Sequence, residues 1–159
     1  MRRRTAQLLV VLCAGATLGA DPRRVSPSVV PVEVRAAAGS GEPVLSQSPE
    51  GALILSWLDP GTGDKTALRF CRWLGTSWGP PRTVFERDSL FVNWADVPAV
   101  QPGGADTLLA HWLQRTAGGT YDYAVRVARS IDGGANWGAA FTVHGGPAAG
   151  EHGFVSQLA

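Results

Sequence analysis

The chain has 159 residues and a formal net charge of +1, is only 17% charged, and contains 20 Gly, 11 Pro and 6 Trp. Such a balance offers no electrostatic footprint for nucleic acid or for an acidic surface, and too few charges for a set of solvated amphipathic helices. It suits one all-β domain of short strands and tight turns.

The N-terminus reads as a targeting segment. Met1 and three arginines precede an apolar run from Leu8 to Ala20 that is too short to cross a bilayer as an ordinary helix, so residues 1–20 are expected to be a Sec signal peptide. Leu18 and Ala20 stand at the two cleavage-recognition positions, and Asp21-Pro22 would begin the exported chain. The alternative is a lipoprotein anchored to a membrane at Cys13, which Leu12 disfavours because a small residue is wanted there. Cleavage after Ala20 leaves Cys71 as the one cysteine, so an internal disulfide is excluded. Cys71 is expected to pack as a small hydrophobe within a strand.

Residues 21–42 form a Pro/Gly-rich linker with one candidate strand, Val29 to Val34. From Glu42 onward a repeat emerges. Pro43 to Gly51, Val97 to Gly104 and Phe154 to Ala159 read as the same short strand three times. The first two lead into continuous apolar runs, Leu53 to Leu58 and Leu108 to Leu113, suited to strands buried on both faces. Alternating runs follow at Ala67 to Trp73 and Tyr121 to Arg129, then a Trp-containing turn, then a last strand at Arg82 to Phe85 or Phe141 to His144. Four strands per unit, twice over, predict two blades of a β-propeller, residues 43–92 and 93–150, with the start of a third at 151–159. Because the third unit stops in its first strand, the chain is expected to be a fragment of a longer product that supplies the missing blades, or else a truncated product.

The turn of the second unit is Ser130-Ile131-Asp132-Gly133-Gly134-Ala135-Asn136-Trp137. Asp132 can fold its carboxylate back onto loop N–H groups, the two glycines can take positive φ, and Trp137 can drop its ring beneath the turn. The first unit has Trp78 at the corresponding place, without an Asp or Gly-Gly before it, and is expected to turn without the carboxylate latch.

Ser130, Asp132, Gly134 and Trp137, in the spacing Ser-x-Asp-x-Gly-x-x-Trp, resemble the Asp box, or BNR repeat, of sialidase-type β-propellers. The loops FVNWADVP and GEHGFVS, residues 91–98 and 150–156, also resemble bacterial exported sialidase-like proteins. The likeness spans roughly residues 43 to 159. It implies a six-bladed propeller in which the Asp box is structural, and an activity on sialic acid or related glycans. Sialidases of this kind use a tyrosine–glutamate nucleophile pair, an aspartate acid and three arginines that grip the substrate carboxylate. The Arg-Ile-Pro motif that introduces the first arginine is missing here, with Gly41-Glu42-Pro43 near its place, so the catalytic set is incomplete. A non-catalytic propeller that binds glycan or protein is the alternative.

Asn93 to Pro98 and Glu151 to Ser156 occupy equivalent entry loops, where a propeller opens its channel. Asp96 is the first candidate for an acid or sugar-binding group, against the reading that it holds an Asx turn before Pro98. Glu151 and His152 come next, against a solvated loop pair. His111 reads as a core histidine, and Tyr121 and Tyr123 as strand aromatics. The three histidines lack HxxxH or HxH spacing, and a Ca²⁺ loop needs more carboxylates than Asp132 supplies, so neither metal nor cofactor is expected.

Overall fold

A computed structural model describes residues 28–145 and 149–157. The expected signal peptide at 1–20, and Cys13 within it, lie outside the described residues. Eight strands run in chain order: β1 (Gly41–Gln47), β2 (Leu53–Pro60), β3 (Thr66–Arg72), β4 (Arg82–Arg87), β5 (Ala99–Pro102), β6 (Leu108–Arg115), β7 (Tyr123–Ser130) and β8 (Phe141–Thr142). They form two four-stranded antiparallel meanders, β1-β2-β3-β4 and β5-β6-β7-β8, and the described residues include no helix. Both sheets lie within the unit Pro31–Ala159.

The strand patterns explain the order. β1 alternates exposed and half-buried positions, as an edge strand solvated on one face does. β2 and β6 are buried along nearly their whole length, which is why their sequences are continuously apolar. One core cluster draws Ile54, Leu58, Leu68 and Phe70 from the first sheet and Val100, Leu108, Ala110, Trp112 and Ala128 from the second, so the sheets pack face to face. A second cluster, Phe91, Leu113, Tyr123, Val125 and Val127, covers the outer face of the second sheet, with Val155 against it.

Two polar links and a ring contact cross between the sheets. Ser56, fully buried on β2, accepts a hydrogen bond from Val100 N at 3.1 Å and donates to the Val44 carbonyl at 3.5 Å. Arg82 Nη1 donates to the Gly133 carbonyl at 3.1 Å. The rings of Phe85 and Trp112 lie 4.3 Å apart. Within the first sheet, the buried Asp59 is a hub: it accepts from Trp57 Nε1 at 2.6 Å, pairs with Arg69 Nε at 2.8 Å and bonds Ser40 Oγ. Those bonds fix the turn that leads into β1.

Several predicted strands change. Val29–Val34 forms no strand, and Val29 and Val30 are exposed. Phe154–Gln157 is likewise unpaired, since no neighbouring strand offers it a ladder. Phe141–His144 pairs over two residues only, and Tyr121 is an exposed loop residue before β7.

The two Trp turns share a frame. Gly79 N donates to the Arg72 carbonyl at 2.8 Å and Gly138 N to the Arg129 carbonyl at 2.9 Å, each glycine following the tryptophan of its turn. In the first turn Trp78 closes against Trp73, with ring centroids 5.2 Å apart, and Gly75 supplies a positive φ of 95°. An aromatic pair does there what a carboxylate does in the second.

Candidate functional site

In the second turn, Asp132 Oδ1 accepts Asn136 N at 2.9 Å and the Ser130 hydroxyl at 2.7 Å, while Oδ2 accepts Asn136 Nδ2 at 2.7 Å. Ser130 Oγ in turn accepts Gly134 N at 2.8 Å. These bonds favour the charged form and lower the Asp132 pKa from an ordinary 3.8 to about 2, the Asn136 backbone bond contributing most. With both oxygens occupied within its own turn, Asp132 is a latch. Trp137 lies beneath it and meets Phe70 of the other sheet.

The candidate site is at the other loops. Asn93 Oδ1 accepts both Ala95 N and Asp96 N at 2.7 Å, so the Asx turn before Pro98 is made by Asn93. Asp96 is thereby released to reach across: its Oδ1 accepts Phe154 N at 2.5 Å, and Oδ2 receives Asn93 Nδ2 at 3.4 Å. Gly153 permits this approach, because a Cβ there would stand 2.7 Å from Asp96 Oδ2. The two entry loops are therefore joined by one carboxylate.

A cavity of about 280 Å³ opens beside this joint, lined by Asp96, Val97, Pro98, His111, Leu113 and Phe154 among others. His111 Nε2 donates to the Val97 carbonyl at 3.1 Å, which leaves Nδ1 as the acceptor nitrogen. Nδ1 is buried and makes no bond of ordinary geometry, although the Gln157 amide lies close enough to favour the charged ring. Burial outweighs that help and lowers the His111 pKa, so the ring is neutral at pH 7. Two aromatics of these loops are exposed: Phe154, which lines the cavity, at 79%, and Trp94, next in sequence to the lining Ala95, at 90% of full exposure.

Glu151 and His152 separate from Asp96 in role. Glu151 Oε1 accepts the Tyr123 hydroxyl at 2.7 Å, and Tyr123 is buried with its ring stacked on Phe91 at 4.1 Å. Burial, then the Glu151 contact, raise the Tyr123 pKa, so the phenol stays protonated and serves as a donor. His152 stacks on His144, with ring centroids 4.0 Å apart. The sequence marks Tyr123 as a strand aromatic, which it is in β7, and assigns no role to Asn93 or His144. Only Asn93 left a local trace, as an asparagine two and three residues before amides that a turn must satisfy.

Among the described residues no three His, Cys, Asp or Glu side chains gather as a metal set. No protein-family model matches the chain, and no curated protein matches it either.

Proposed function

We propose that the chain is part of an exported, sialidase-like β-propeller, contributing two of six blades, and that the loops around Asp96 bind a glycan. The observation that carries this reading is the joint itself: equivalent loops of successive units meet at Asp96 and Phe154 beside a cavity. Support for the architecture comes from the repeated meander and from the self-latched Ser130-Asp132-Gly134-Trp137 turn. Support for a sugar ligand comes from Phe154, which lines the cavity, and from Trp94 beside the lining Ala95, two exposed aromatics on which a pyranose can stack.

The side chains favour binding over hydrolysis by these two blades. Glycosidic cleavage needs one carboxyl free to give a proton and another free to attack or to activate water. Asp96 is held by Phe154 N and Asn93, and Glu151 is paired with Tyr123, whose buried phenol is closed to a substrate as the nucleophile of a tyrosine–glutamate pair. Hydrolysis of sialosides is the second reading, favoured by the sequence resemblance.

Saturation-transfer NMR of the chain with sialylated and desialylated oligosaccharides tests the proposal. Contact of sugar protons with the protein, reduced at least tenfold in Trp94→Ala, is the expected result. Absence of transfer from every oligosaccharide, or full transfer in the Trp94 variant, would sink it; release of sialic acid would move the reading to hydrolysis.

A further inference from the structure

Two arginines of the first sheet converge on Gly133, the glycine next to Asp132 in the second sheet's turn. Arg72 ends β3 and Arg82 begins β4. Phe70 is the register partner of Arg82 and stands two residues before Arg72, so all three side chains share the face turned to the second sheet. Arg82 Nη1 donates to the Gly133 carbonyl at 3.1 Å, and a Cβ added to Gly133 would stand 3.3 Å from Arg72 Nη2.

Other strand arginines are spent. Arg69 pairs with Asp59 at 2.8 Å, and Arg126 gives Nη1 to the Thr142 hydroxyl at 2.8 Å and Nη2 to the Ala140 carbonyl at 2.7 Å. Arg72 differs: its Nη2 is buried and has no hydrogen-bond partner. Among the described residues neither Arg72 nor Arg82 forms an ion pair. Two carboxylates border the place without neutralising it. Asp132 uses both oxygens within its own turn, and Asp106 is exposed, with Oδ1 3.7 Å from the same Gly133 Cβ position. A cavity of about 100 Å³ lies against the pair, lined by Arg72, Arg82, Phe70, Leu74 and Pro80 among others.

We infer that Arg72 and Arg82 form a site for a tetrahedral oxyanion, a phosphate or sulfate group, at the seam between the two sheets. A guanidinium donor withdrawn from water without an acceptor is costly, and a bound anion removes that cost. The cavity has the volume of roughly three water molecules, room for one such group. One guanidinium fork satisfies a planar carboxylate, whereas a tetrahedral anion has oxygens outside that plane to offer a second arginine. The apolar walls supplied by Phe70, Leu74 and Pro80 strengthen the attraction. Because Arg82 also holds the Gly133 carbonyl, an anion gripped by both arginines braces β3 and β4 against the turn of the second sheet. The site lies at the Asp132 turn and not at the Asp96 loops, so it stands whether or not a glycan binds there.

Titration calorimetry of the full chain with phosphate, sulfate and acetate, at an ionic strength fixed with chloride, tests it. Phosphate and sulfate are expected to bind at least tenfold more tightly than acetate. Arg72→Gln removes the unspent donor without breaking a bond and is expected to weaken phosphate at least tenfold, whereas Asp106→Asn removes a repelling charge and is expected to tighten it. Should Arg72→Gln lose its β spectrum, the order of the three anions and the Asp106 variant still decide. Phosphate bound far more tightly than phosphoserine marks a site for the free ion, and equal binding marks one for a phosphorylated molecule; both support the proposal. No phosphate or sulfate heat beyond that of chloride, acetate bound as tightly as phosphate, or undiminished binding in folded Arg72→Gln overturns it.

Discussion

Trp137 of the second sheet meets Phe70 of the first edge to face, with ring centroids 6.0 Å apart and 87° between the planes. The same Phe70 fills the space above Gly134, where an added Cβ would stand 2.3 Å from its Cζ, and Gly134 holds a φ of 86°. Turn and neighbouring sheet are thus fitted as ring and socket. Gly134→Ala is expected to destabilise the chain by roughly 1–3 kcal/mol through overpacking and positive φ together. In a double-mutant cycle, Phe70→Leu should recover the steric part and leave the φ part. Strict additivity in chemical denaturation would show that the two residues do not share this space.

The latch at Asp132 predicts an acid response. Its folded pKa, about 2, lies below the ordinary 3.8, so the stabilisation is fully present above about pH 4 and is lost as pH falls through about 2. Thermal melts across this window should show a steeper acid limb for the wild type than for Asp132→Asn. Asp132→Ala should lower the melting midpoint at pH 7 by several degrees. An unchanged midpoint in the alanine variant would remove the latch from the account.

Two substitutions at Asp96 separate its roles. Asparagine keeps an acceptor oxygen for Phe154 N, whereas alanine removes it and leaves that amide unmatched. Asp96→Ala is expected to cost about 1.5–3 kcal/mol, the range for a hydrogen bond to a charged group, and Asp96→Asn clearly less. Equal losses in urea titrations would mean that the charge itself, not the bridge, matters.

Cys71 is almost wholly buried, and burial raises its thiol pKa from 9.0 to about 11. At pH 8 the thiolate fraction is then on the order of one in a thousand, and the sulfur is also out of reach. The folded chain should react with a disulfide reagent only at the rate of unfolding, and at once in guanidinium. Fast labelling of native protein would contradict the buried placement.

What is local in the sequence proved legible, and what depends on distant partners did not. The continuous apolar runs at Leu53 and Leu108 announce central strands because burial on both faces leaves no room for alternation. Val29–Val34 has a strand's composition and forms none, because a strand needs a neighbour and composition names no neighbour. At the site, Asp96 was legible as a residue of interest, but its partner is 58 residues away and its expected turn is made by Asn93. Asp59 gave no signal at all, since its donors come from Trp57, Arg69 and Ser40 and only the folded sheet brings them to one carboxylate. His144 and His152 stack on one another, which the spacing of histidines along the chain does not record.

Ser56 joins the sheets through one dry hydroxyl that receives Val100 N. In the repeat, the run Leu53-Ile54-Leu55-Ser56-Trp57-Leu58 aligns with Leu108-Leu109-Ala110-His111-Trp112-Leu113, which sets His111 in the register of Ser56. The two positions are successive castings of one joint in different material. A hydroxyl has no proton to gain at any pH a cell meets, so the seam it closes is permanent. An imidazole whose Nδ1 lies beside the Gln157 amide offers the same acceptor, but on terms that acidity can revoke. Ser56 to Val44 and His111 to Val97 are thus matching bonds made by different side chains.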